Sequence, residues 1–143
     1  MLTFSGLGSL LSTRLSRFGR RGLAAASLAV ALTLVCYRFG LDSALGATLA
    51  ASVSHRIALA LAMLALPSTL MGMPFPAAVA ALGEHERASV VRAWVVNGYF
   101  SVLGACLAMV ISISFGFGFV LLTGAAIYGL AAVVWPDPEA KPS

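Results

Sequence analysis

The chain has 143 residues, 60% of them hydrophobic and only 10% charged, with a mean hydropathy of +0.98 and a formal net charge of +4. A water-soluble domain carries about 25% charged residues to cover its surface, so this composition excludes an ordinary soluble domain and points to lipid as the solvent. The length holds one helical unit and leaves no room for a bundle plus a separate enzyme domain.

Residues 1–21 contain no acid. Phe4, Leu7, Leu11, Leu15 and Phe18 recur at helical spacing, with Arg14, Arg17 and Arg21 on a neighbouring face. This suits a short basic amphipathic helix on an anionic membrane surface, and Gly6 and Gly8 weaken its first turns. A disordered basic tail and an organelle presequence are the competing readings.

Residues 22–37 form an uninterrupted apolar run that extends to Leu41 if Arg38 snorkels, which makes a first membrane span. An Arg-rich start followed by a short apolar stretch also fits a signal peptide, with Ala44-Leu45-Gly46 as a cleavage site. Residues 42–54 are small and too short to span, and read as a loop or surface-lying helix. His55 and Arg56 mark a membrane edge. Residues 57–73 make the second span, with Pro67 inside it and Pro74 and Pro76 at its far end. Each proline removes a backbone donor and disfavours helix in the residue before it. The expectation is a kink at Pro67 and a break at Met73-Pro74-Phe75-Pro76. A short helical tail follows over residues 77–82.

Glu84, His85, Glu86 and Arg87 read as a solvated turn. The third span covers residues 93–114, Ser114 to Gly118 makes a tight connection, and residues 119–135 make the fourth span, ended by Pro136. The fold class is therefore all-α, with about four transmembrane helices. Its parts are a basic segment (1–21), a four-helix membrane module (22–135) and a polar tail (136–143).

Orientation follows from the Lys and Arg residues. With both termini cytoplasmic, Arg14, Arg17, Arg20, Arg21, Arg87, Arg92 and Lys141 lie inside, and Arg38 and Arg56 lie outside. That obeys the positive-inside tendency and puts Trp94 and Trp135 at one interface. The compartment implied is a bacterial-type inner or plasma membrane.

On the third span, Gly98, Ser101, Ala105, Ala108 and Ser112 form a smooth stripe, with Asn97 and Gly104 at its edge. No hydrophobic force draws helices together in lipid, so close approach over small residues supplies the contacts. The stripe is expected to pack on the second or fourth span, leaving the bulky stripe of Val95, Tyr99, Val102, Cys106, Val110 and Ile113 to lipid or a partner. Asn97 needs hydrogen-bond partners at this depth. These are either carbonyls freed by the proline break or a substrate, and both readings place Asn97 near Met73, Pro74 and Pro76.

No other chemistry stands out. Cys36 and Cys106 read as buried free thiols. His55 and His85 fall on opposite sides of the membrane, so no metal site is expected. No phosphate-binding loop, nucleophile–base pair or cofactor motif is present, and no basic-aromatic surface suggests nucleic acid.

The runs G-M-P-F-P (72–76), W-V-V-N-G (94–98), S-V-L-G (101–104) and S-F-G-F (114–117), with the later Tyr128, resemble the membrane portion of spermidine synthase-like integral membrane proteins. The resemblance covers residues 56–135. It implies shared membrane architecture, and a soluble aminopropyltransferase-like domain as the companion. This chain lacks the glycine-rich cofactor loop and amine-binding acids of that domain. The expected function is therefore a membrane module without catalysis of its own, anchoring or assembling with such a partner or with other membrane helices. A transporter fragment with a site at the proline break, or the detached part of a membrane-bound aminopropyltransferase-like enzyme, are the alternatives.

Overall fold

The computed structural model describes residues 2–15, 19–48, 51–81 and 87–134, with side chains for 3–12, 21–48, 51–80 and 88–134. The expectations placed on Arg17, Glu84, His85, Glu86, Trp135 and the tail 136–143, and on the side chains of Arg14, Arg20 and Arg87, lie outside these residues. The described elements are the helices α1 (Leu2–Leu15), α2 (Gly19–Gly46), α3 (Val53–Met71), α4 (Pro74–Ala81), α5 (Arg87–Phe115) and α6 (Phe117–Val134). Among the described residues, four stretches are long and apolar enough to cross a membrane: Arg21–Gly46, Val53–Ala80, Ala88–Phe115 and Phe117–Val134.

Two helices run further than their apolar cores. Residues 42–46, expected outside the first span, continue α2, because Ala44 and Leu45 are strong helix formers and no proline interrupts them. The helix ends in a turn in which Ala47 N–H donates to Ser43 O and Thr48 N–H to Leu45 O, both at 3.1 Å. α5 likewise starts at Arg87, ahead of the expected residue 93, through the helix-compatible Ala88 and Arg92.

The second stretch is divided. α3 passes through Pro67 and ends at Met71, where Gly72 N–H donates to Ser68 O and Met73 N–H to Leu70 O. α4 opens on Pro74 with Pro76 behind it. The first turn of a helix has no intrahelical use for its N–H groups, so proline is tolerated there. Between α5 and α6 lies Gly116 alone, at φ +89°, a backbone state that costs an L side chain roughly 1–2 kcal/mol.

The centre of the fold is α2. Its buried residues Leu23, Ser27, Val30 and Leu34 recur at alternating four- and three-residue steps, with Ala26 and Ala31 beside them. Val30 and Leu34 pack on Ala125 of α6, flanked by Leu121 and Tyr128 of α6 and by Leu70 and Met71 of α3. Small residues set this approach: a Cβ at Gly124 would sit 3.1 Å from a Leu34 methyl.

α1 packs on α3 and α4 through its small face. A Cβ at Gly8 would strike the Thr69 carbonyl, and one at Gly72 would strike the Ser5 carbonyl. Gly8 and Ser12 are buried while Leu7, Leu10 and Leu11 are exposed. The glycines that weaken an isolated helix thus permit backbone-to-backbone contact here. Ser68, one turn before Gly72, is buried with no hydrogen-bond partner for its hydroxyl.

Three threonine hydroxyls within the apolar stretches are satisfied locally. Thr33 donates to Ala29 O, Thr69 to Ala65 O and Thr123 to Phe119 O, each at 2.8 Å, which removes the cost of carrying a bare hydroxyl into lipid.

Candidate functional site

α5 stands apart from the other helices. No described residue along it is buried. It meets α6 through the Gly116 turn and meets α4 through Trp94, whose ring stands edge-on to Phe75 at 4.9 Å and 83°.

The small stripe lies on this open helix. Gly98, Ser101, Gly104 and Ala105 are exposed, and Ala108 and Ser112 are partly covered. Nothing lies within 4 Å of where a Cβ would stand at Gly98 or Gly104. Over its first half, the stripe therefore has no partner helix among the described residues. The bulky residues Val95, Tyr99, Val102, Val110 and Ile113 are exposed as well. Cys36 and Cys106 are free and exposed, in place of the expected burial, because each lies on a helix face with no neighbour.

Asn97 is exposed, and its backbone carbonyl accepts a 2.7 Å bond from the Ser101 hydroxyl. Among the described residues its carboxamide makes no hydrogen bond. The link to the proline segment runs through Trp94, one turn away, which touches Phe75 between Pro74 and Pro76. Met73, Pro74 and Pro76 are themselves partly buried.

A different carbonyl, the one left without its donor by Pro67, is relieved by Tyr37. Pro67 has no N–H for the carbonyl of Met63, four residues before it. The Tyr37 hydroxyl, reaching across from α2, donates to that oxygen at 2.6 Å. The sequence carried a signal for this, since a proline inside a span requires a donor from a neighbouring helix. It did not say which donor.

Among the described residues, three cavities border α2, the first against α6, the second against α3 and α6, and the third against α3. The first, about 320 Å³, is lined by Tyr37, Arg38, Asp42, Phe115, Phe117 and Gly118 among others. The second, also about 320 Å³, is an apolar groove that includes Leu34, Leu64, Pro67, Met71 and Leu121. The third, about 490 Å³, includes Leu45, Thr48, Arg56 and Ile57. None of the three is lined by Asn97, Met73, Pro74 or Pro76. Reading Arg38 only as a snorkelling residue overlooked its neighbours: its side chain crosses α6 at Gly118, where a Cβ would stand 2.5 Å from Nε.

No family profile, curated protein or solved structure matches the chain.

Proposed function

We propose that this chain is an integral membrane assembly module, and that α5 is the helix it offers to a partner within the bilayer. The observation that supports this is the open stripe Gly98, Ser101, Gly104 and Ala105 beside the unpartnered Asn97 carboxamide. A smooth stripe permits close approach of a second helix, and an interhelical bond to a carboxamide contributes roughly 0.6–2 kcal/mol. An apolar helix gains neither from lipid.

The resemblance of the runs 72–76, 94–98, 101–104 and 114–117 to spermidine synthase-like membrane regions extends the proposal to the partner. That partner carries an aminopropyltransferase-like domain, and this chain serves as membrane anchor without catalysis of its own. Pro74 and Pro76 interrupt the second span, and the basic N-terminal segment and both termini face the cytoplasm of a bacterial-type membrane. Reporter fusions at each terminus check the orientation, with cytoplasmic readouts expected from both.

The deciding experiment is purification of the tagged full chain in mild detergent, with mass measurement of the particle and mass identification of its components. A stoichiometric complex held by α5 is the expected result. A lone monomer would overturn the assembly reading, and transport assays on Asn97, Met73, Pro74 and Pro76 variants would then be the next step.

A further inference from the structure

The cavity at Arg38 and the apolar groove between α2 and α3 are two parts of one space. Tyr37, Leu41, Phe117 and Leu121 line both. The groove is walled by Leu34, Leu64, Pro67 and Met71 and presents almost no polar surface, whereas the cavity counts Arg38 and Asp42 among its lining residues. Arg38 is half-buried across Gly118 and also approaches the Phe39 ring, 5.6 Å from its centroid. Among the described residues neither Arg38 nor Asp42 is in an ion pair, although they lie one turn apart on α2. Arg38 stands about 24 Å along the helix axis from Gly22, near the far edge of a hydrocarbon core about 30 Å thick.

We propose that this joined space binds one phospholipid with an ethanolamine head group. Arg38 donates to the phosphate, Asp42 accepts from the primary ammonium, and one acyl chain occupies the groove. The charge pattern selects this occupant. Arg38 and Asp42 are separated by about 6 Å of helix axis, and the phosphate and ammonium of an ethanolamine head group are separated by two carbons. A choline head group has no N–H to donate to Asp42. A glycerol head group brings no cation to offset the carboxylate. A free phosphate would leave the apolar half of the space unfilled. Ionisable residues within a span mark such sites because lipid alone cannot stabilise them.

The inference rests on the chain being embedded in a bilayer, and the test separates the two claims. The full chain is reconstituted in nanodiscs of equal phosphatidylethanolamine, phosphatidylglycerol and phosphatidylcholine with matched acyl chains. Retained lipid is then counted by native mass spectrometry after mild detergent extraction. One phosphatidylethanolamine per chain is expected, enriched about tenfold over phosphatidylcholine, the factor that one charge-assisted hydrogen bond of about 1.4 kcal/mol supplies. Arg38→Gln is expected to abolish retention. Asp42→Asn, at an exposed position with no ion pair among the described residues, should reduce the enrichment to near parity while phospholipid is still retained. Arg56→Gln, in the neighbouring cavity, should change nothing. Equal retention of the three lipids by the parent chain, or an unchanged preference in Asp42→Asn, would overturn the lipid site while leaving the membrane reading intact. Failure of the chain to enter the nanodisc would overturn both.

Discussion

The Tyr37 hydroxyl donates a 2.6 Å hydrogen bond to the Met63 carbonyl, the acceptor that Pro67 leaves without its helical donor. An uncompensated carbonyl in an apolar setting is costly, so the proline in α3 and the tyrosine in α2 act as a pair. Tyr37→Phe should lower stability by about 0.6–1.7 kcal/mol, the range for interhelical bonds in membranes. Pro67→Ala restores an N–H at position 67, and the Tyr37→Phe change should then cost little. A double-mutant cycle, read by circular dichroism during denaturant titration in detergent, should give a coupling of at least about 0.5 kcal/mol. Additive effects would mean the bond does not form.

Gly8 and Gly72 lie where α1 and α3 touch through backbone atoms. Alanine at either position should release α1 from α3, seen as faster proteolysis of the N-terminal residues. Gly6→Ala has open space around it and should leave that contact unchanged. The opposite effect is expected at Ser68, one turn before Gly72. Its buried hydroxyl has no partner, so Ser68→Ala should be neutral or stabilising by up to about 1–3 kcal/mol, the cost of a buried unmade hydrogen bond. Thermal unfolding in detergent distinguishes the two directions.

Gly104 separates folding from assembly. Its Cβ position is empty within the chain, so Gly104→Leu should leave the helical spectrum and the chain's own melting unchanged. It should nonetheless remove the partner from the purified particle, because a leucine blocks close approach along the stripe. Val102→Leu, on the bulky face, should preserve the complex. Equal loss of partner in both variants would move the contact away from the small stripe.

Hydropathy and proline positions were enough to find the four apolar stretches, since burying about 20 apolar residues in lipid is a property of local composition. They also made the third span's stripe of Gly98, Ser101, Ala105, Ala108 and Ser112 visible, because helical spacing alone puts those residues on one face. The pairing of stripes was not legible. Small residues occur on every helix here, and each stripe is equally smooth when read alone. In the folded chain Gly124 and Ala125 take the α2 contact, and Gly8 and Gly72 take the α1–α3 contact. The first half of the stripe on α5 remains open. The donor for the Met63 carbonyl, and the meeting of Arg38 with Gly118, depend equally on which helices become neighbours. Dispersion contact and hydrogen bonding between helices are short-ranged and pairwise, so only the packed arrangement chooses among partners that composition makes equivalent.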